Sequence, residues 1–396
     1  MAADDTRAAL TPLAARLAAE LVRIRAADLY RVRRVIDGGH GAQIVVNGRS
    51  CINFCSNDYL GLAADPRLAE AARGALAAGT GSGAAALVSG YNREHQQLEE
   101  EVAAFVGRPR ALLFSTGWAA NLGVLRGLLG RDDAIVADEL NHASLIDGGR
   151  LSGARYLRVP HADVAAFGAA LPQCADARLT LAVTDGVFSM DGDLAPLAAW
   201  SQRCMQQGAA LMVDDAHGFG VLGAQGRGTP ELLGVRPDIH VGTFGKAVGA
   251  AGAFVAGEAD LIEYLVQRAR SWVFSTAPPP AIAAAARRGL RLMQEEPERR
   301  TRLAEHVRRF RDGARQLGIA LVDSPTAIQP LLLGDAARAL RLSQRLFEQG
   351  FWVAAIRPPT VPLNTSRLRI TLSAAHRPEQ IDALLAALAD GLRTLQ

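Results

Sequence analysis

Lysine is almost missing from this chain of 396 residues: among its 43 lysines and arginines, Lys246 alone is lysine. Cysteine is scarce too, with four residues (Cys51, Cys55, Cys174 and Cys204) and no C-x-x-C pair. That excludes a disulfide framework and points to reduced thiols and a cytoplasmic setting. No stretch approaches the roughly 20 apolar residues of a membrane span, and the acidic opening MAADDTRAAL lacks the form of a secretory signal. Charge of one sign is not in excess. A formal net charge of +3, spread over scattered arginines, gives no reason to expect nucleic acid or an anionic membrane as partner.

The scarcity gives Lys246 its weight. Arginine supplies charge, hydrogen bonds and solubility, but it keeps its proton, so it cannot act as an amine nucleophile or condense with an aldehyde. The one retained lysine stands in Thr243-Phe244-Gly245-Lys246-Ala247, directly after an apolar run. A surface lysine surviving by chance would not need that setting; a Schiff-base lysine would.

With 49% hydrophobic and 21% charged residues, the chain has an ordinary globular composition and enough length for two domains. Leu10, Leu13, Leu17, Leu21, Ile24 and Leu29 recur at helical spacings. A short strand is expected at 42–46, ending in an Asn47-Gly48 turn. Between about 100 and 257, apolar runs at 111–115, 134–137, 179–184, 210–213, 239–241 and 252–256 alternate with helix-length segments. This pattern predicts an α/β fold with a mostly parallel central sheet sandwiched by helices. Functional residues then belong at strand ends. The breaker Thr276-Ala277-Pro278-Pro279-Pro280 marks a boundary. Beyond it, helices at 281–293 and 298–317, strands near 328–333, 352–356 and 368–372, and a last helix from Pro378 read as a smaller α+β unit. The expected organisation is an N-terminal helical segment (1–50) packing with the small domain, a large domain (51–280) and a small C-terminal domain (281–396).

A cofactor held by Lys246 needs partners. If it carries a pyridine nitrogen, that atom needs a carboxylate to keep its proton. The run 210–213 ends in Asp214-Asp215-Ala216-His217, and an acid at the end of a buried strand needs a cationic partner. A metal held by Asp214, Asp215 and His217 is the weaker alternative, because no further ligand cluster accompanies them. A phosphate needs N–H groups at a helix start, which the turn Ser115-Thr116-Gly117-Trp118 offers. Hydroxyls of Ser189, Thr243 and Thr276 could add donors. His142 and His217 each follow an expected strand, and either could meet the face or the phenolic oxygen of an aromatic cofactor. A structural role serves each equally well.

Eight ordered runs extend this reading: VSGYNREHQQLEEEVA, FSTGWAAN, DELNHASLIDG, TDGVFSMDGD, VDDAHGFGVLG, GTFGKA, AIRPPTVP and RLRITLSAAH. From about residue 25 to the C-terminus the chain resembles the α-oxoamine synthase family of fold-type-I (aspartate aminotransferase-like) PLP enzymes. The resemblance implies pyridoxal 5'-phosphate as cofactor, with Lys246 as its Schiff-base lysine and as base and acid at the substrate's α-carbon. It implies Asp214 at the pyridinium nitrogen, His217 and Ser189 at the phenolic oxygen, and His142 stacked on the ring. The N–H groups of Gly117 and Trp118, with Thr243, would hold the phosphate, joined by Thr276 of the partner subunit. A homodimer with sites at the subunit interface follows. Arg369 would bind the amino-acid carboxylate, and Arg31 and Thr360 match substrate-contacting positions. AIRPPTVP and TAIQP (326–330) resemble most the branch of biotin biosynthesis that condenses L-alanine with a pimeloyl thioester, on CoA or an acyl carrier protein, with loss of CO2. A sister synthase taking glycine or serine is the alternative. Two departures stand out. Gly81-Ser82-Gly83-Ala84-Ala85-Ala86 replaces the usual GSGGS or GSGGT, which leaves alanine against glycine open, and Trp118 replaces the usual Phe or Tyr.

Overall fold

The computed structural model describes residues 11–395. Its centre is a seven-stranded sheet in the order Arg110–Phe114, Ala253–Gly257, Ile239–Thr243, Ala210–Asp214, Thr180–Asp185, Ala134–Asp138, Arg155–Val159. Ala253–Gly257 runs against both its neighbours, and the remaining pairs are parallel. Ala134–Asp138 and Ala253–Gly257 are buried at every position, which is why they read as continuous apolar runs. Arg155–Val159 gave no such signal. It is an edge strand with only Val159 buried, and charged residues suit an edge.

Side chains alternate between two helical layers. Leu112, Phe114, Val241 and Val255 face the helices Gly117–Leu128 and Ala259–Arg268 through Ala120, Val124, Ile262 and Leu265. Val136, Ala182, Leu211 and Val213 face Val164–Ala170 and Leu197–Gln207, where Phe167 and Trp200 stack with centroids 3.8 Å apart. The helix Pro280–Glu295, expected to open the small domain, packs on Pro66–Leu76 and Arg93–Val106. Gly289 of this helix also admits the turn that follows Lys246: a Cβ there would stand 2.3 Å from the Val248 carbonyl oxygen.

The C-terminal region carries an antiparallel sheet of Ile328–Gly334, Ser366–Thr371 and Ala354–Ile356. The single strand expected at 352–356 is two short ones in different sheets, Phe351–Trp352 and Ala354–Ile356, because the chain crosses between sheets at the buried Val353. Gln43–Val46 and Arg49–Asn53 form a hairpin through Asn47 and Gly48, whose φ angles of 49° and 77° are those a tight primed turn requires. Arg49–Asn53 then pairs in parallel with Phe351–Trp352. The first helix is Pro12–Ala26, capped by the Thr11 hydroxyl. Leu10 lies outside the described residues, Leu29 falls past the helix, and none of the helix's residues is buried within the chain. Among the described residues, no helix is long and apolar enough to cross a membrane.

Candidate active site

Asp138, Asp185, Asp214 and Thr243 each end a strand of the central sheet. The last three of these strand ends open on a cleft of about 460 Å³. This is where an open α/β sheet binds ligands. Gly117, Trp118, His142, Ser189, Asp214, His217, Thr243, Lys246 and Arg369 line this one cleft.

Lys246 sits in a turn closed by Gly249 N–H on the Lys246 carbonyl at 3.0 Å and by Ala250 N–H on the Phe244 carbonyl at 2.9 Å. Phe244, Ala247 and Val248 are buried and anchor it. Burial pushes the amine's pKa down, against Asp214 and Asp185, which hold it up; the Arg369 charge pushes it further down. Desolvation disfavours the ammonium form.

Asp214 Oδ2 accepts from Asn121 Nδ2 at 2.6 Å, and Oδ1 accepts from the Ala216 N–H at 3.0 Å. On the adjacent strand, burial and the Asp214 charge raise Asp185 well above the ordinary carboxyl range, and Asp185 accepts the His142 N–H at 2.6 Å. Asp215 turns away: its carboxylate accepts the Thr229 hydroxyl at 2.6 Å and the Thr229 N–H. Asp214, Asp215 and His217 therefore do not converge, and among the described residues no group of three or more His, Cys, Asp or Glu could hold a metal.

His142 caps the helix Ala143–Ser152, and its Nδ1 lies 2.7 Å from the Ser144 hydroxyl. Trp118 meets it edge-on with centroids 6.0 Å apart. Burial lowers the pKa of His142, and burial with the Lys246 and Arg369 charges lowers that of His217 further. Both shifts favour the neutral imidazole.

The residues fit a phosphorylated pyridine cofactor. Gly117 and Trp118 open the helix Gly117–Leu128, so their N–H groups have no partner inside it. The Thr243 hydroxyl beside them is buried with no hydrogen-bond partner. A Cβ at Gly117 would come 3.0 Å from Thr243 Cγ2, so glycine keeps the cradle open. Unpaired donors at a helix start suit an anion. Arg369 is the second vacancy of this kind. Its Nε donates to the Ser189 carbonyl at 2.6 Å and Nη1 to Asn57 and Thr371 at 3.0 Å, which leaves buried Nη2 unpartnered.

Three expected site residues lie elsewhere. Thr276 is exposed and bridges to Ala85 of the 81–86 loop. Arg31 donates to the Thr360 hydroxyl at 3.2 Å, and Thr360 lines a neighbouring cleft of about 370 Å³ that shares Ser189 and Met190 with the first. Asn57, Asn121 and Asp185 were not singled out from the sequence. Asn121 stands four residues after Gly117, one helical turn on, and that spacing was the available signal.

Residues 49–388 match the model of the family described as aminotransferase class I and II. The chain is similar to the 8-amino-7-oxononanoate synthase of Methylococcus capsulatus, 58% identical over 379 residues that cover 95% of this chain and 98% of that one. Its structure is similar to a serine palmitoyltransferase from S. paucimobilis with bound PLP–myriocin aldimine, at a TM-score of 0.91 and 30% identity, covering 96% of this chain and 97% of that one. It is also similar to the 8-amino-7-oxononanoate synthase from Francisella tularensis, at a TM-score of 0.75 and 32% identity, covering 87% and 98%. The architecture is that of fold-type-I PLP transferases. The chain belongs to the class I and II aminotransferase family and, within it, to the family of the 8-amino-7-oxononanoate synthases.

Proposed function

We propose that this protein condenses L-alanine with a pimeloyl thioester, on CoA or an acyl carrier protein, to give 8-amino-7-oxononanoate, CO2 and the free thiol carrier in biotin biosynthesis. One observation carries the chemistry: the chain's single lysine lies desolvated in a cleft with a buried carboxylate and an unpartnered arginine nitrogen. The high identity to named 8-amino-7-oxononanoate synthases supports the substrate pair.

Bound pyridoxal 5'-phosphate supplies the electron sink at the amino acid's α-carbon. Lys246 would hold it through its amine, and that amine, its pKa lowered by burial, would take the α-proton and later return one to the same carbon. Asp214, kept in position by Asn121, would hold the proton on the pyridine nitrogen. His217 and Ser189 would donate to the phenolic oxygen, and His142 would cover the ring. Gly117, Trp118 and Thr243 would hold the phosphate, completed by the partner subunit's Thr276, which makes the working form a homodimer. Arg369 holds the amino-acid carboxylate through Nη2 until it leaves as CO2, and Arg31 with Thr360 contacts the acyl thioester. The protein acts in the cytoplasm.

The test supplies alanine, glycine or serine with several acyl thioesters and identifies products by mass. Alanine with a pimeloyl thioester is the expected pair. Product only from glycine or serine with another acyl group would assign the chain to a sister activity of the 2-amino-3-ketobutyrate CoA ligase, 5-aminolevulinate synthase or serine palmitoyltransferase type. An active monomer would overturn the role of Thr276.

A further inference from the structure

We infer that Tyr59 is a positioning residue that fixes which nitrogen of His217 carries the proton facing the cleft. The inference rests on the proposed contact between His217 and the cofactor's phenolic oxygen, and identifies what holds that contact in register.

The Tyr59 hydroxyl lies 2.6 Å from His217 Nδ1, with the two rings edge-on at 6.0 Å. Tyr59 is 1% exposed and cannot swing away. Its N–H donates to the Asn57 carbonyl and its own carbonyl accepts from Ala374 N–H, each at 2.8 Å. The preceding residue is pinned as well: the Asp58 carboxylate accepts the Leu62 N–H at 2.8 Å and its carbonyl accepts the Ser373 hydroxyl at 2.7 Å. The loop carrying Tyr59 is thus closed on itself and fastened to the C-terminal region.

A 2.6 Å contact between a phenol and an imidazole nitrogen needs one donor and one acceptor. Burial raises the Tyr59 phenol to about 12 against the Arg369 charge, so it keeps its proton at neutral pH. His217 is held neutral by burial and by Lys246, Arg369 and His142 around it. A neutral imidazole carries one N–H. The other acceptor near the phenol, Asn57 Oδ1, is farther away at 3.4 Å and already accepts from Arg369 at 3.0 Å, so the hydroxyl hydrogen goes to Nδ1 and the imidazole hydrogen resides on Nε2, the nitrogen left for the cleft. Without Tyr59, the Nδ1–H tautomer becomes accessible and would turn a lone pair toward an anionic oxygen. Tyr59 excludes that state.

The test is Tyr59→Phe, which keeps the ring and removes the hydroxyl. The primary readout is the pH titration of the holoenzyme's visible cofactor absorbance. The phenolic oxygen bears its full negative charge only after the imine proton has left, so a fixed donor favours the deprotonated state. Tyr59→Phe is expected to raise the titration midpoint by about 0.5 or more on the pH scale. Nitrogen-15 NMR of labelled histidine is expected to show His217 moving from Nε2–H to a tautomer mixture. Replacing tyrosine by fluorotyrosine, a stronger donor, shifts the midpoint the other way in the intact fold. An unmoved midpoint and tautomer in Tyr59→Phe overturn the inference. His217→Gln separates the layers: a midpoint moved there but not in Tyr59→Phe removes only the role of Tyr59, and one unmoved in both removes the His217 contact as well.

Discussion

Asn121 Nδ2 stands 2.6 Å from Asp214 Oδ2, and the same amide donates to the Ser144 hydroxyl at 2.8 Å. A helix one layer away therefore holds the carboxylate that ends the Ala210–Asp214 strand. Asn121→Leu keeps the volume and removes the donor. Cofactor affinity is expected to fall about tenfold or more, the scale of a lost hydrogen bond to a charged group. Equilibrium dialysis against free pyridoxal phosphate measures it, and unchanged affinity would contradict the role given to Asn121.

Arg369 lines the cleft and leaves one buried nitrogen unpartnered while its others are fixed to protein oxygens. Arg369→Lys keeps the charge and loses the fork. The amino-acid KM is expected to rise about 10- to 100-fold, with the cofactor absorbance intact. Steady-state kinetics with varied amino acid decides this; a fall in kcat alone at constant KM would place Arg369 outside the carboxylate site.

Ala84 lies in the Gly81–Ala86 loop, and its φ of 114° is where a side chain is strained. Strain of about 1–3 kcal/mol, less about 0.5–1 kcal/mol for the greater freedom of unfolded glycine, leaves Ala84→Gly stabilising by about 1 kcal/mol. The denaturant midpoint is expected to rise. A lower midpoint would show that the loop relaxes at no cost in the native chain.

His161 bonds Asp138 at 3.0 Å through Nδ1 and Asp193 at 2.8 Å through Nε2. Burial opposes its charge, but the bonds to the two carboxylates outweigh it and raise the imidazole to about 10, from an ordinary 6.5. A group whose pKa is raised on folding stabilises the fold most when it is charged in both states. The contribution is therefore complete below about pH 6.5 and is lost as the pH climbs through about 10. His161→Gln is expected to cost stability at pH 6 and much less near pH 10. Urea melts at the two ends of that window test the sign, and an equal loss at both would refute the charged pairing.

The fold was legible wherever burial is two-sided. Runs such as 134–137 and 252–256 announced their strands because both faces are covered. Arg155–Val159 was hidden by its edge position, and Phe351–Trp352 and Ala354–Ile356 merged in the sequence because a change of sheet leaves no mark on hydropathy. The Pro278–Pro280 breaker marked a turn, and the helix that follows packs on Pro66–Leu76 and Arg93–Val106. In the site, Lys246 and Asp214 stood out through composition and strand position. Tyr59 and Asn57 gave no signal, since they come from a loop brought in by Thr371, Ala374 and His376, more than 300 residues away in the chain. The apolar stripe Leu13–Leu17–Leu21 was visible as a helix, but its burial was not: all three side chains are exposed in the single chain.

Because Lys246 is the sole lysine, one digestion tests its covalent role. The holoenzyme is reduced with borohydride, denatured, and treated with a lysine-specific protease before mass spectrometry. A chain that resists cleavage and carries the reduced cofactor mass at Lys246 is the expected result. Cleavage after Lys246 in the reduced protein, or an adduct mapped to another residue, would contradict the assignment of the amine and the chemistry built on it.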